Sequence, residues 1–98
     1  MIVETTNYFA REGRLANVLG QRFVATEIRR QLRLEPGRIM TLLDGPGPDV
    51  RWECTFASRE AFDADMAARN GSAEFNAARE AMHALLERFE RSVFEIAT

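Results

Sequence analysis

Trp52-Glu53-Cys54-Thr55-Phe56-Ala57-Ser58-Arg59-Glu60-Ala61-Phe62 reads as a strand that runs directly into a capped helix. Val50, Trp52, Cys54 and Phe56 alternate with Arg51, Glu53 and Thr55, the period of two expected of a strand between two unlike environments. Ser58 offers a hydroxyl to the unpaired amides of a helix start, and Glu60 falls in the first turn, where the helix dipole favours a negative charge. The helical pattern falters at Asn70-Gly71. Ser72 then supplies a second cap with Glu74 placed as Glu60 was, and Phe75, Ala78, Met82, Leu85, Leu86 and Phe89 follow at i, i+3 and i+4 spacing. The stretch predicts a strand and then a helix, broken near Asn70-Gly71, that reaches Phe89.

Toward the N-terminus, Ile2 to Phe9 is rich in β-branched and aromatic residues and stops before Arg11-Glu12-Gly13, a strand and a turn. Arg14 to Leu34 contains no proline and little glycine. Leu15, Val18 and Leu19 mark one face of this helix and Val24, Ile28 and Leu32 another, which predicts either a broad buried arc or a bend near Gly20. Glu35-Pro36-Gly37 ends it. Arg38 to Leu43 reads as the second strand, Asp44-Gly45-Pro46-Gly47-Pro48-Asp49 as an exposed hairpin loop, and Ser92 to Ala97 as the last strand.

The order βαββαβ accounts for residues 1–98 as a single α+β domain. Right-handed crossovers put both helical layers on one face of a four-stranded sheet, with strands one and three central. Large residues then stand on both sides of those strands, Ile2 and Tyr8 against Val3 and Phe9, and Trp52 against Glu53. A large bare apolar sheet face is uncommon on a monomer, so a homodimer packed sheet to sheet is expected.

Composition narrows the function classes. No apolar run is long enough to cross a bilayer, and Met1-Ile2-Val3-Glu4 lacks the basic and apolar parts of a signal peptide. Cys54 is the only cysteine, so no intrachain disulfide can form, and a cytoplasmic location is expected. A net charge of −2 argues against nucleic acid or an anionic membrane as partner. All thirteen basic residues are arginine, whose fork suits carboxylates and phosphates, although genomic base composition is the simpler explanation.

Phe56-Ala57-Ser58-Arg59-Glu60-Ala61-Phe62, with Ser72-Ala73-Glu74-Phe75 after the break, resembles the third strand and second helix of the dimeric α/β-barrel superfamily, which has a ferredoxin-like fold. Met1 to Glu4, Tyr8, Gly13 and the Gly45-Pro46 loop are most similar to NIPSNAP-like proteins, with more distant similarity to antibiotic-biosynthesis-type monooxygenases. The resemblance implies a four-stranded antiparallel sheet whose pairing in the dimer forms a barrel. It implies no single activity, because the superfamily includes cofactor-free monooxygenases, haem-degrading enzymes, isomerases and members without known activity. The haem-degrading branch uses Asn, Trp and His, and Asn7, Trp52 and His83 are present. Aligned through the shared joint, however, the family positions fall near Thr6, on Phe56 and on Arg79, so no haem is expected.

His83 lies toward the polar side of its helix and reads as a solvated flank residue; Cys54 reads as a small buried hydrophobe and Met40, Met66 and Met82 as core fillers. One His and one Cys provide no metal-ligand spacing, and no cofactor is called for. Arg29, Arg30 and Arg33 read as a solvated basic run. The residues expected to bind a ligand are Glu4, Thr6, Tyr8, Trp52 and Phe56. Amphipathicity turns Trp52 and Phe56 toward the helices, whereas the resemblance turns them into the inter-sheet cleft, and the cleft is adopted here. There Tyr8 and Glu4 would orient or deprotonate a hydroxylated ligand while Trp52 and Phe56 hold its flat apolar body. Packing of the dimer interface is the equal alternative for these residues. Two classes stay open: a cofactor-independent monooxygenase or isomerase for a small aromatic molecule, and a non-catalytic homodimeric binding or protein-interaction module.

Overall fold

In the computed structural model, which describes Met1–Thr98, the alternating stretches form strands β1 (Ile2–Ala10), β2 (Arg38–Thr41), β3 (Val50–Phe56) and β4 (Leu86–Glu95). Helix α1 (Leu15–Gln31) joins β1 to β2, and helices α2 (Arg59–Asn70) and α3 (Ala73–His83) join β3 to β4. The sheet is antiparallel with the order β2-β3-β1-β4, so β1 and β3 are central as expected. Ile2 to Tyr8 pair with Phe56 to Val50, and this register aligns the two alternating patterns. Ile2, Glu4, Thr6 and Tyr8 share one buried face with Val50, Trp52, Cys54 and Phe56. All three helices cover that face.

The two serine caps form as the sequence predicts. Ser58 Oγ accepts from the Ala61 amide and Ser72 Oγ from the Phe75 amide, each at 3.1 Å, and the break falls between Asn70 and Ala73. The C-terminal end of this helix differs. Helix α3 stops at His83 rather than Phe89, the Leu85 amide closes a turn onto the Met82 carbonyl, and β4 begins at Leu86 rather than Ser92. Residues 86–95 gain a ladder along the whole of β1, with Tyr8 opposite Phe89, and that pairing outcompetes the helical spacing of Leu85, Leu86 and Phe89.

Helix α1 is continuous across Gly20. Its buried stripe is Val18, Arg22, Ala25, Thr26 and Arg29, while Leu15, Phe23 and Val24 are exposed. Of the positions expected to be buried, Val18 is fully so and Leu19 packs against the core, whereas Leu15 and Val24 are exposed and the inward stripe runs through the arginines instead. Arg22 and Arg29 turn inward because the sheet and α2 hold polar partners for them. Gly37, after α1, adopts φ +69°, and a Cβ there would lie 2.5 Å from Trp52 Nε1 and 2.7 Å from the Glu53 carbonyl oxygen. Only glycine permits this close approach, which lets Trp52 Nε1 donate to the Pro36 carbonyl at 2.9 Å.

The opposite sheet face is mixed rather than apolar. Val3 and Phe9 stand among Arg38 paired to Glu53, Arg51 donating to Asn7 Oδ1 at 2.8 Å, and Arg88 stacked on the Phe9 ring. Phe94 is exposed on its β4 edge. No helix is long and apolar enough to cross a membrane.

Candidate functional site

Thr6 and Trp52 are direct neighbours across the β1–β3 ladder, and Glu4 and Tyr8 flank Thr6 on the same face. With side chains from all three helices and β4 they enclose a cavity of about 300 Å³ between sheet and helices. Trp52, Met66, Phe75, Met82 and Phe89 supply its apolar walls. Four of the five residues expected at a binding site, Glu4, Thr6, Tyr8 and Trp52, thus meet at one cavity. Phe56 does not. It lies at the far end of β3 with its ring edge-on to Phe62, centroids 5.3 Å apart.

The position of the cavity corrects the expectation of an inter-sheet cleft. Trp52 and Phe56 face the helices, as the alternation of β3 requires when Arg51, Glu53 and Thr55 are the residues able to meet water. Asn7 lies on the outer face, bonded to Arg51, so Asn7, Trp52 and His83 do not converge.

Charge in the cavity is strongly biased. Arg22, Arg69, Arg79 and Arg91 line it against the single carboxylate of Glu4, an excess of three positive charges in a chain of net charge −2. Glu4 is committed: Arg69 Nη2 donates to its two oxygens at 2.9 and 2.8 Å, and Arg91 Nε donates to Oε2 at 2.8 Å. Held between two guanidiniums, Glu4 has both oxygens engaged in charge-assisted hydrogen bonds to the protein. Behind it, Arg29 grips Asp65 bidentately at 3.1 and 2.7 Å and donates Nε to the Glu35 carbonyl at 2.8 Å. Arg69 Nε stands 3.6 Å from Asp65, an ion pair too long for a hydrogen bond.

Arg22 is differently placed. It is 5% exposed and has no carboxylate partner. Nη1 donates to the Tyr8 hydroxyl at 3.1 Å, Nη2 approaches Thr26 Oγ1 at 3.5 Å, and buried Nε has no acceptor. Burial pushes its guanidinium below the ordinary arginine value; the Tyr8 oxygen opposes this, and Arg29 and Arg69 add to it. The guanidinium carbons of Arg22 and Arg29 lie 4.7 and 4.8 Å from the Trp52 ring, so both cations hold the indole in place.

His83 is exposed as expected, but it also lines the cavity mouth, stacked on Phe89 at 4.8 Å. Cys54 is buried 3.9 Å from Arg29 Nη2, and burial raises its thiol above the ordinary value. No group of three or more His, Cys, Asp or Glu side chains is poised around a common point. The arginines escaped the sequence reading. Arg22 and Arg29 were nonetheless marked, because with Val18, Ala25 and Thr26 they stand at i, i+4, i+7, i+8 and i+11, one stripe of a helix.

No protein-family model matches the chain, and no curated protein matches it. Among solved structures, it is similar to an uncharacterised NIPSNAP domain protein from Burkholderia xenovorans at 18% identity, with a TM-score of 0.77 over 99% of this chain and 95% of that one. A putative antibiotic biosynthesis monooxygenase from Nitrosomonas europaea matches over the full length of both chains at 16% identity and a TM-score of 0.72. A dimeric protein of unknown function with a ferredoxin-like fold, from Bacteroides fragilis, matches at 12% identity and a TM-score of 0.68, over 97% of this chain and 95% of that one. At these identities the likeness is one of fold, and the fold is the ferredoxin-like one that NIPSNAP-domain and antibiotic-biosynthesis-monooxygenase structures share.

Proposed function

We propose that this chain binds a small, flat, largely apolar molecule in the cavity between its sheet and its helices, and that two copies pair through their outer sheet faces. The observation that carries the first part is the cavity itself: about 300 Å³, with aromatic and Met walls and a few convergent polar groups. This is the usual make-up of a small-molecule site, at the small end of the size range. Trp52, fixed by Arg22, Arg29 and the Pro36 carbonyl, is a rigid flat wall for an aromatic ring. A lone buried thiol and a net charge of −2 support a cytoplasmic protein with a metabolite, rather than a nucleic acid, as ligand.

The test is titration with neutral flat aromatics such as 2-naphthol, followed through the fluorescence of Trp52, the only tryptophan. Binding is expected in the natural chain and lost in Ala78→Phe, which fills the cavity from α3 without adding a second tryptophan. If no flat aromatic, neutral or charged, perturbs Trp52 at millimolar concentration, the reading is wrong.

A catalytic reading, a cofactor-independent monooxygenase or isomerase, is favoured by one pair of residues. The Tyr8 hydroxyl stands inside the cavity and His83 at its mouth, two groups able to pass a proton to or from a bound molecule. It is tested by incubating each compound that binds with the protein in air and following its mass and its absorption spectrum: oxygenation adds oxygen to the mass, and isomerisation changes the spectrum at constant mass. For the dimer, support comes from Val3, Phe9 and Phe94 on the outer face and from the dimeric Bacteroides fragilis structure. Sedimentation should give twice the chain mass, and Phe94→Arg should halve it.

A further inference from the structure

We infer that the molecule held in this cavity is an organic anion, a planar compound whose carboxylate seats against Arg22 and the Tyr8 hydroxyl. The inference rests on the small-molecule reading above and adds the charge of the ligand and the residues that read it.

Every other deeply buried charge of this chain has its opposite beside it. Arg29 has Asp65, and Arg69 has Glu4. Arg22 has two neutral oxygens and the face of Trp52 but no carboxylate, and one of its buried nitrogens has no acceptor. Leaving a charge in that condition is among the costlier arrangements in a folded protein, because the lost hydration is not replaced. Selection tolerates such a cost where a ligand removes it. The Tyr8 hydroxyl points the same way: it accepts from Arg22, and its own proton finds no acceptor among the protein's hydrogen bonds. The Arg22 guanidinium and the Tyr8 hydroxyl, bonded to one another, therefore line the cavity side by side with no anion of the protein to receive them. A carboxylate, with several acceptor sites and no donor, is the complement of that pair.

The rest of the cavity agrees. Its one carboxylate is already bound by Arg69 and Arg91, so it does not cancel the field of Arg22. Arg79, whose only polar contact is to Asn70 at 3.4 Å, sits on the exposed side with His83 and Arg91 and lends the entrance a positive potential. Trp52, adjoining Arg22, gives an attached ring a surface on which to lie. A neutral ligand could accept a hydrogen bond but would leave the charge of Arg22 uncompensated, and a cation would meet an excess of three positive charges.

The probes are 1-naphthoate and its neutral isostere 1-naphthamide, titrated against the full chain at neutral pH through Trp52 fluorescence. The acid is expected to bind more tightly than the amide by at least about tenfold, the factor that corresponds to about 1.4 kcal/mol. In Arg22→Met that preference should vanish, with binding of the amide little changed; Arg22→Lys should keep part of it, and Tyr8→Phe should reduce it. Equal binding of acid and amide by the natural chain overturns the inference and leaves the small-molecule reading standing. Binding of neither overturns both. A preference that survives intact in Arg22→Met or Tyr8→Phe refutes the assignment to this pair. Should Arg22→Met fail to fold, the natural chain, Arg22→Lys and Tyr8→Phe still decide the matter.

Discussion

Replacing Asp65 by alanine should be one of the most damaging single changes in this protein. Asp65 takes both oxygens into a bidentate pair with Arg29, whose side chain is wholly buried, at 3.1 and 2.7 Å. Its removal leaves Arg29 with the Glu35 carbonyl, a weak thiol contact to Cys54 and the face of Trp52. Arg69 loses its second carboxylate at the same time. Breaking a buried pair from one side costs about 3–5 kcal/mol, because the remaining charge is stranded without water. For a domain of this size that is a large share of a total stability of roughly 5–15 kcal/mol. In urea, with a slope of about 2 kcal/mol/M, a loss of about 4 kcal/mol lowers the midpoint by about 2 M.

The measurement is Trp52 fluorescence against urea at one fixed protein concentration, since association would make the midpoint concentration-dependent. Two controls isolate the cause. Arg38→Ala removes an ion pair to Glu53 in which the arginine is 72% exposed, and should cost at most about 1 kcal/mol. The double variant Arg29→Met with Asp65→Leu removes both charges and should recover most of the loss. If Asp65→Ala costs no more than Arg38→Ala, the polar layer between sheet and helices is not held by its charge pairs, and the account of α1 given above fails.

Three further outcomes follow from the same geometry. Gly37→Ala should cost about 2–4 kcal/mol in the same urea assay, from left-handed backbone strain and from driving a methyl group into Trp52 and the Glu53 carbonyl. Arg29→Lys should lose nearly as much stability as Arg29→Met, whereas Arg30→Lys on the solvated side should change little. Burial raises the Cys54 thiol, so the unfolded chain gives up this proton at a lower pH than the folded one. Its contribution to stability is therefore complete below the ordinary thiol value and declines as pH rises from there through the raised folded value; urea midpoints should fall on the alkaline side and fall less steeply in Cys54→Ala.

The fold was largely readable because local signals and tertiary structure agree along most of the chain. The serine caps, the break at Asn70-Gly71 and the alternation of β1 and β3 are each fixed within a few residues of sequence. The misreadings share a physical cause. Leu86 and Phe89 fit a helical spacing, but a ladder to β1, more than seventy residues away, decides their conformation. On α1 the apolar periodicity predicts Leu15 and Val24 inside, but these are exposed, and Arg22 and Arg29 go inside. The partners that permit this are 14 positions away for Arg22 with Tyr8 and 36 for Arg29 with Asp65, distances over which no periodicity speaks. For the site, strand alternation brings Glu4, Thr6, Tyr8 and Trp52 to one place and turns Trp52 toward the helices, as the structure has it, whereas the family resemblance points to the other side of the sheet.

The polar layer also gives a different weight to the arginine-only composition. Base composition accounts for an absence of lysine on exposed turns and helix flanks, where either cation serves. It does not account for what the buried positions demand. Arg29 reaches two oxygens of Asp65 and the Glu35 carbonyl with three different nitrogens while its flat face lies on Trp52. A lysine ammonium presents its donors from a single atom and has no face to stack. Arg69 and Arg91 converge on one carboxylate from α2 and β4, joining a helix to the edge strand through Glu4. These pairs lie beside an apolar cluster that includes Val18, Val50, Trp52 and Phe62, and Glu4, Arg69 and Arg91 also line the cavity. The pairing also sorts the buried cations: Arg29 and Arg69 each find a carboxylate, and Arg22 is the one deeply buried cation whose counter-charge the chain does not itself provide.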